Sequence, residues 1–282
     1  MGVVLAVDVG GTKLAAGIVT EHGDVLRHEM VPTPVHDAET MFSALLGVID
    51  QVRTGDEVVC GVGCGGPMAP GGEAVSPLNI PAWREFPLRS RLRDALALQV
   101  HVDNDAKALA LGEGWCGAAR GERNFLAMVV STGVGGGIVL DGRLLDGALG
   151  NAGHIGHVIV NPGGTVCGCG ARGCLEAEAS GTGIRTRTGR PPEDADAVTV
   201  LEVGTMVGRG VASVCNLLDL RLAVVAGSVA LGYGEPFFGA AQTELDACAR
   251  LSFSEGARIV PAGLGADGPI VGAAAVGLRG LG

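Results

Sequence analysis

The stretch VLAVDVGGTKLAAGIVTEHG, residues 4–23, decides the fold once it is set beside LAMVVSTGVGGGIVLDG, residues 126–142. Each is an apolar run of strand-forming residues, a polar residue, a glycine turn, a second apolar run and a polar turn. In the first copy, Val3–Val7 leads through Asp8 to Gly10-Gly11, and Leu14–Val19 runs on to a turn at His22-Gly23-Asp24. A third strand begins at Val25. In the second copy, Leu126–Val130 leads to Ser131-Thr132, glycines at 133 and 135–137, and a strand over Ile138–Leu140. A duplicated strand–turn–strand unit predicts two related α/β lobes with a ligand between them. A chance match of short patterns is the alternative.

The segments between the copies supply the rest of two α/β units. Met41, Leu45, Val48, Ile49 and Val52 recur at helical spacing and predict a helix over Ala38–Val52. A strand over Val58–Val62 is followed by a Gly/Pro-rich loop, Gly63–Pro81. Then come a helix at Arg91–Leu98, a strand at Val100–Val102 and a helix at Ala106–Trp115. Beyond the second copy, the pattern predicts a helix at Val198–Leu218, a strand at Leu222–Val225 and a turn at Gly227-Ser228. A helix at Pro236–Arg250, a strand at Arg258–Pro261 and a small-residue helix at Pro269–Leu278 complete the chain. The polar, Pro-rich stretch 189–196 reads as a loop between helices.

Composition excludes several classes of function. At 282 residues, 47% hydrophobic and mean hydropathy +0.38, the chain has ample material for a buried core. No uninterrupted apolar run reaches the roughly 18 residues of a bilayer span, and MGVVLAVDVGG carries no basic leader. A cytoplasmic location with no membrane partner is therefore expected. Thirty acidic against twenty basic residues give a net charge of −10. That balance repels nucleic acid, whose binding rests on Lys and Arg. Eight cysteines without a leader point to metal ligands or reduced thiols rather than a disulfide framework.

Three constellations carry chemistry. In the first, Asp8, Gly10, Gly11, Thr12 and Lys13 form a strand–turn–strand in which consecutive glycines let amide N–H groups face an anion. Thr12 adds a hydroxyl, Lys13 a charge, and Asp8 can hold Mg²⁺ through water. A plain hairpin turn would look the same, but the loop Ser131–Gly137 repeats the arrangement. The pair predicts a clamp on a nucleoside triphosphate. In the second, His157, Cys167, Cys169 and Cys174 read H-x9-C-x-C-x4-C in a glycine-rich loop, the donor set of a closed Cys₃His zinc site that orders the loop. Unrelated reduced thiols are the alternative, and Cys60, Cys64, Cys116, Cys215 and Cys248 read as small core residues. In the third, Asn104-Asp105 stands at a strand end where a helix opens. Asp105 there is a helix cap or the carboxylate that takes a proton from an attacking hydroxyl. Glu176, Asn79 and Gly65-Gly66 are candidate hydrogen-bonding neighbours for a polyhydroxylated substrate.

These residues bear a resemblance that runs nearly end to end. DVGGTK (8–13), NDAKALALGE (104–113), STGVGGGIV (131–139) and AGHIGH with CGCGARGCLEAEASG (152–181) resemble the ROK family of repressors, open reading frames and kinases. The resemblance implies an actin-like ATPase fold with a nucleotide and sugar cleft between two lobes. One lobe is expected over residues 1–117 with the last helix, 269–282, returning to it, and the other over 118–268. It implies ATP and Mg²⁺ as co-substrate and metal, a structural Zn²⁺ and a homodimer. Asp105 resembles the family's base for a sugar 6-hydroxyl, and Asn104, His157 and Glu176 resemble sugar ligands. Gly10–Thr12 and Thr132, Gly133 and Gly135 resemble phosphate contacts. Ala226-Gly227-Ser228-Val229 resembles the adenosine-side turn. Two departures stand out: His154 occupies the place of the family's usual Glu, and Lys107 that of a small or amide residue. The AGHIGH form, with VCGCGARGC after it, resembles bacterial N-acetylmannosamine kinases, and a neutral His154 could donate to an acetamido carbonyl where carboxylate can only accept. Glucokinase, another hexose or N-acetylhexosamine kinase, and a sugar-sensing regulator are the alternatives. As a transcriptional repressor, such a regulator would need a DNA-binding helix-turn-helix ahead of the kinase body, for which a first strand at residue 3 is expected to leave no room. As a sugar-binding regulator without catalysis it is opposed by Asp105 and both phosphate loops.

Overall fold

The structure is a computed structural model that describes residues 2–34 and 37–281, so the expected first-lobe range begins and ends outside the described residues, at Met1 and Gly282. Contacts divide the chain into two compact units, residues 1–120, 146–152 and 264–282 in the first, 121–145 and 153–263 in the second.

The first unit holds β1 (Val3–Val9), β2 (Lys13–Val19), β3 (Val25–Pro32), β4 (Glu57–Cys64) and β5 (Val100–Asn104), in spatial order β3-β2-β1-β4-β5. The first three strands pair antiparallel, and β4 and β5 run parallel to β1. Both faces of this sheet are covered, so its strands are near-continuously apolar rather than alternating. Leu5, Val7 and Val9 face Met41, Leu45 and Ile49 of α1 (Ala38–Val52) and Leu92 of α2 (Leu88–Leu96). Val4 and Ala6, one step out of phase, face Ile270, Ala273 and Ala274 of α9 (Gly268–Leu281). Helix α3 (Asp105–Cys116) packs on α9. The Asp37 carboxylate fixes the start of α1 by accepting from the amides of Glu39 and Thr40. Helix α2 is displaced from the expected Arg91–Leu98. Pro87 precedes Leu88, and Ala97 turns left-handed at φ 54°, so the i, i+4 series Leu88, Leu92, Leu96 sets the helix.

The second unit repeats this topology. Its strands β6 (Phe125–Val130), β7 (Val134–Leu140), β8 (Arg143–Leu144), β9 (Leu222–Ala226) and β10 (Arg258–Pro261) lie in the order β8-β7-β6-β9-β10. Again three antiparallel strands are followed by two parallel ones. Between β8 and β9 stand α4 (Leu175–Ala179), α5 (Gly181–Thr188) and α6 (Ala197–Leu218), and between β9 and β10 stand α7 (Ser228–Tyr233) and α8 (Glu235–Cys248). Gly189 closes α5, and Asp196 caps α6 by accepting from the Thr199 amide at 2.8 Å. Among the described residues α6 is the one helix long and apolar enough to cross a bilayer. Its buried stripe of Val203, Val207, Val211 and Cys215 belongs to the core it shares with Phe237 and Leu245 of α8.

One element departs from the sequence expectation in a way that changes the site. Strand β7 starts at Val134, not at Ile138, and Gly135, Gly136 and Gly137 pair with Val129, Met128 and Ala127. Glycine in a strand interior marks a place where another backbone comes close. A Cβ on Gly136 would lie 2.9 Å from Ile155 Cγ2 and 3.1 Å from the Gly153 carbonyl, and one on Gly153 (φ 98°) 2.4 Å from the Gly136 carbonyl. The glycine run therefore lets the segment 153–156 lie on the strand. The turn itself is only Ser131-Thr132-Gly133.

Candidate active site

In the first unit, the parallel neighbours β1 and β5 flank β4 and carry Asp8 and Asn104-Asp105 to the same strand ends, the edge where open α/β sheets bind ligands. Gly63 of β4 separates them: a Cβ there would sit 3.7 Å from Asp105 Cα and 3.9 Å from Asp8 Oδ1. Asp8 is nearly inaccessible. Burial first, then the Asp105 charge, pushes its carboxyl up to about 7, with Lys13 opposing. Asn104 is the N-cap of α3, its Oδ1 accepting from the Ala106 amide at 3.0 Å. Asp105, the first helical residue, accepts from the same amide at 2.8 Å.

The Gly10–Thr12 turn is closed by the Gly10 amide donating to the Lys13 carbonyl at 3.0 Å. It is tied down by the Thr33 hydroxyl donating to the Gly10 carbonyl at 2.7 Å. Gly11 backs onto Asn79, since a Cβ there would fall 2.8 Å from Asn79 Cβ. Gly65 lies near the Asp105 carboxylate, and Gly66 near the Asn104 amide. The structure thus brings Asp8, Gly11, Gly65, Asn79, Asn104 and Asp105 into one neighbourhood.

In the second unit, His157, Cys167, Cys169 and Cys174 converge with their ligand atoms all within 4.8 Å of one another. His157 Nδ1 lies 3.8 Å from Cys167 Sγ, and Cys169 Sγ 3.7 Å from Cys174 Sγ. Bridges Ile159↔Cys174 and Val166↔Arg172 shape the loop. Burial, then Cys169 and Cys167, pushes the Cys174 thiol up to about 12, whereas the Ala171 amide draws Cys169 down. A dication at the centre of the three sulfurs would be held by their thiolate forms. The donor set fits zinc.

The thiol loop runs directly into α4. There the Glu176 carboxylate accepts from the Val134 amide at 3.1 Å, gripping the head of β7. The Ser131–Gly133 turn is braced from two further sides. Gly181 N donates to the Ser131 carbonyl at 2.7 Å, and Thr182 donates to the Thr132 carbonyl through its amide at 3.2 Å and its hydroxyl at 2.9 Å. Ser131 and Ser228 hydroxyls meet at 3.0 Å. Gly227, at φ 102°, packs so tightly that a Cβ would lie 2.3 Å from the Val130 carbonyl. Beside this turn opens a concavity of about 960 Å³ lined by Thr132, Gly181, Thr182, Arg185, Tyr233 and Pro236, among others. Tyr233 anchors its wall by donating to the Pro192 carbonyl at 2.9 Å. Sequence reasoning missed Gly181, Thr182, Arg185 and Tyr233, although Ser180-Gly181 directly after CLEAEA was the available signal. Gly135, expected at the phosphate turn, lies inside β7 instead. His154 is exposed and opens the short turn Ile155–His157, its ring 6.3 Å from that of His157 and nearly parallel to it.

The ROK family profile matches residues 4–279. A glucokinase of Streptomyces coelicolor is 37% identical over 213 residues, covering 74% of this chain and 67% of that protein. An N-acetylmannosamine kinase of Yersinia pseudotuberculosis is 36% identical over 255 residues, covering 83% and 86%. A ROK family glucokinase of Streptomyces griseus, solved with glucose and AMPPNP, matches with TM-score 0.85 at 29% identity, over 99% of this chain and 100% of that one. The ROK hexokinase of Thermus thermophilus matches with TM-score 0.85 at 34% identity over 99% of each chain. Two α/β units of repeated strand order, with carboxylates at one set of strand ends, define the actin-like ATPase fold of the sugar-kinase class. The chain belongs to the ROK family.

Proposed function

We propose that this ROK sugar kinase transfers the terminal phosphoryl group of ATP to the 6-hydroxyl of N-acetylmannosamine. Asp105 accepts the hydroxyl proton as the sugar oxygen forms its bond to the γ-phosphorus, the bond to the bridging oxygen breaks, and ADP leaves with that electron pair. Asp8, Asn104, Asn79 and Gly65 complete the set on the first unit. A Mg²⁺ held through water at Asp8 would supply charge neutralisation for the phosphates. On the second unit, the Ser131 amide closes the turn onto the Gly133 carbonyl, and the amides of Thr132, Gly133 and Gly227 are assigned to phosphate. The 960 Å³ concavity has the volume for adenosine. That volume favours ATP over polyphosphate, which needs no such hollow. The site is read as part of a cytoplasmic homodimer.

Zinc at His157, Cys167, Cys169 and Cys174 would hold a glycine-rich loop in one conformation, and with it the imidazole of His157 and the carboxylate of Glu176. Those two groups and His154 are assigned to the sugar. The observation that carries the choice of sugar is His154, which stands where the family's usual Glu would only accept hydrogen bonds. Glucose is the second reading, favoured by the Streptomyces coelicolor glucokinase at 37% identity.

The test is ADP release with ATP and Mg²⁺ across N-acetylmannosamine, N-acetylglucosamine, glucose, mannose and fructose. A kcat/KM preference for N-acetylmannosamine that falls in His154→Glu supports the assignment. A preference for glucose unaffected by that substitution sinks it. Silence with every sugar would point to a regulator.

A further inference from the structure

Lys107 is one of only two lysines among twenty basic residues, and its side chain is 2% exposed. A buried ammonium must find partners for all its protons. Here Nζ donates to Asp146 Oδ1 at 3.0 Å and to the Gly150 carbonyl at 2.9 Å, and it lies 3.5 Å from Asp103 Oδ1. Three acceptors thus face the three N–H donors of an ammonium, a geometry the planar fork of Arg does not match. From α9, Arg279 closes the network by contacting Asp103 at 3.2 Å and Asp146 at 2.6 Å.

The network joins two things. Asp146 and Gly150 belong to the strap 146–152, which groups with the first unit and is curled by Ala152 N donating to the Asp146 carbonyl at 3.0 Å. Asp103, at the other end, accepts from the Asn104 amide at 2.8 Å, in the turn that caps α3 and precedes Asp105. An amide side chain at 107 would be too short to reach Asp146. The strap is also the peptide that runs directly into Gly153-His154.

We infer that Lys107 is a positioning residue: its ammonium clamps the strap 146–152 to the helix that opens with Asp105, and this clamp sets the affinity for the sugar. The second half of that statement rests on the kinase reading above. A purely structural role is a weak reason to bury a lysine, because an apolar side chain of similar size would fill the space without the desolvation cost.

The experiment compares Lys107→Met, the milder Asp146→Asn and their combination in the full chain, by amide hydrogen exchange over 147–152 and by KM for sugar and for ATP. Both single variants should speed exchange in the strap by about tenfold or more. They should raise the sugar KM about tenfold while the ATP KM stays within about twofold, and the double variant should add little, as coupled partners do. Unchanged strap exchange would overturn the clamp. Sugar and ATP KM rising together with a fall in melting temperature would overturn the positioning role. If the wild type transfers phosphate to no sugar, the kinase reading and the affinity half fall together. The exchange measurement still judges the clamp alone.

Discussion

Replacing Asp8 by Asn should stabilise the protein at alkaline pH while disabling it, and the size of the effect follows from the site. Burial and the neighbouring Asp105 hold the Asp8 carboxyl at about 7 against an ordinary 3.8. Between those two values the folded chain keeps a proton that the unfolded chain has lost, so stability falls as pH rises through that window and levels off above it. At about 1.36 kcal/mol per pH unit, the ionised carboxylate costs the fold on the order of 4 kcal/mol by pH 8. Asn resembles the protonated acid in shape and charge and escapes that cost. With about 2–4 °C gained per kcal/mol in chains of this size, the variant should melt roughly 8 °C or more above wild type at pH 8 and level with it at pH 4. Calorimetry at both pH values measures this directly. Millimolar Mg²⁺ should recover part of the difference in the wild type and do nothing for the variant, while phosphoryl transfer is lost. A variant that melts at or below wild type at pH 8 would refute the reasoning, because Asp8 would then be a net contributor to the fold rather than a strained functional charge.

Three further outcomes are expected. Asp105→Asn should lower kcat by about a hundredfold to ten-thousandfold with sugar affinity by calorimetry nearly unchanged; lost affinity would make the residue a structural cap. Cys169→Ser should lower zinc content measured by elemental analysis and the melting temperature together, by about 5 °C or more, and an unmoved melting temperature would deny the metal a structural role. Gly227→Ala forces a Cβ to within 2.3 Å of the Val130 carbonyl at a positive φ. It should raise the ATP KM by about tenfold and leave the sugar KM alone, whereas equal changes in both would place the damage in the fold at large.

Much of this molecule was legible because its signals are local. The helix over Ala38–Val52 was readable to the residue from five apolar positions at helical spacing, and the structure adds the Asp37 cap. The four soft ligands within 18 residues announced a metal loop, and the ligand atoms do converge. The illegible parts depend on contacts distant in sequence. Gly135–Gly137 looked like a turn because glycine usually ends strands. Only the presence of 153–156 against β7 explains why they continue one. Helices α4 and α5 are short, and α5 begins Gly-Thr-Gly, so neither offered a periodic stripe. The meaning of Lys107 lay 39 residues away in Asp146, and nothing in NDAKALALGE hints at that partner.

The duplicated strand order also shows how one scaffold divides two kinds of chemistry. By register, Val9↔Leu14 closes the first hairpin and Val130↔Val134 the second, which sets Val129 at the place of Asp8. The first unit puts ionisable groups there, Asp8 and Lys13, with Asp105 heading α3 just past the second parallel strand. The second unit surrounds its turn with the hydroxyls of Ser131, Thr132 and Thr182, and its one charge there is the Glu176 carboxylate, reaching in from α4 to accept from the Val134 amide. A charge buried in one copy is costly, as the shift at Asp8 records. A turn of neutral donors is cheap, and in the second unit it stands beside the concavity and the thiol cluster. On the proposed reading, the costly groups are those that change charge or hold a cation during transfer, and the neutral ones those that need only bind. If that division holds, a carboxylate introduced at Val129 should weaken nucleotide binding rather than duplicate the role of Asp8. It would set an unpaired negative charge behind the turn proposed to receive phosphate.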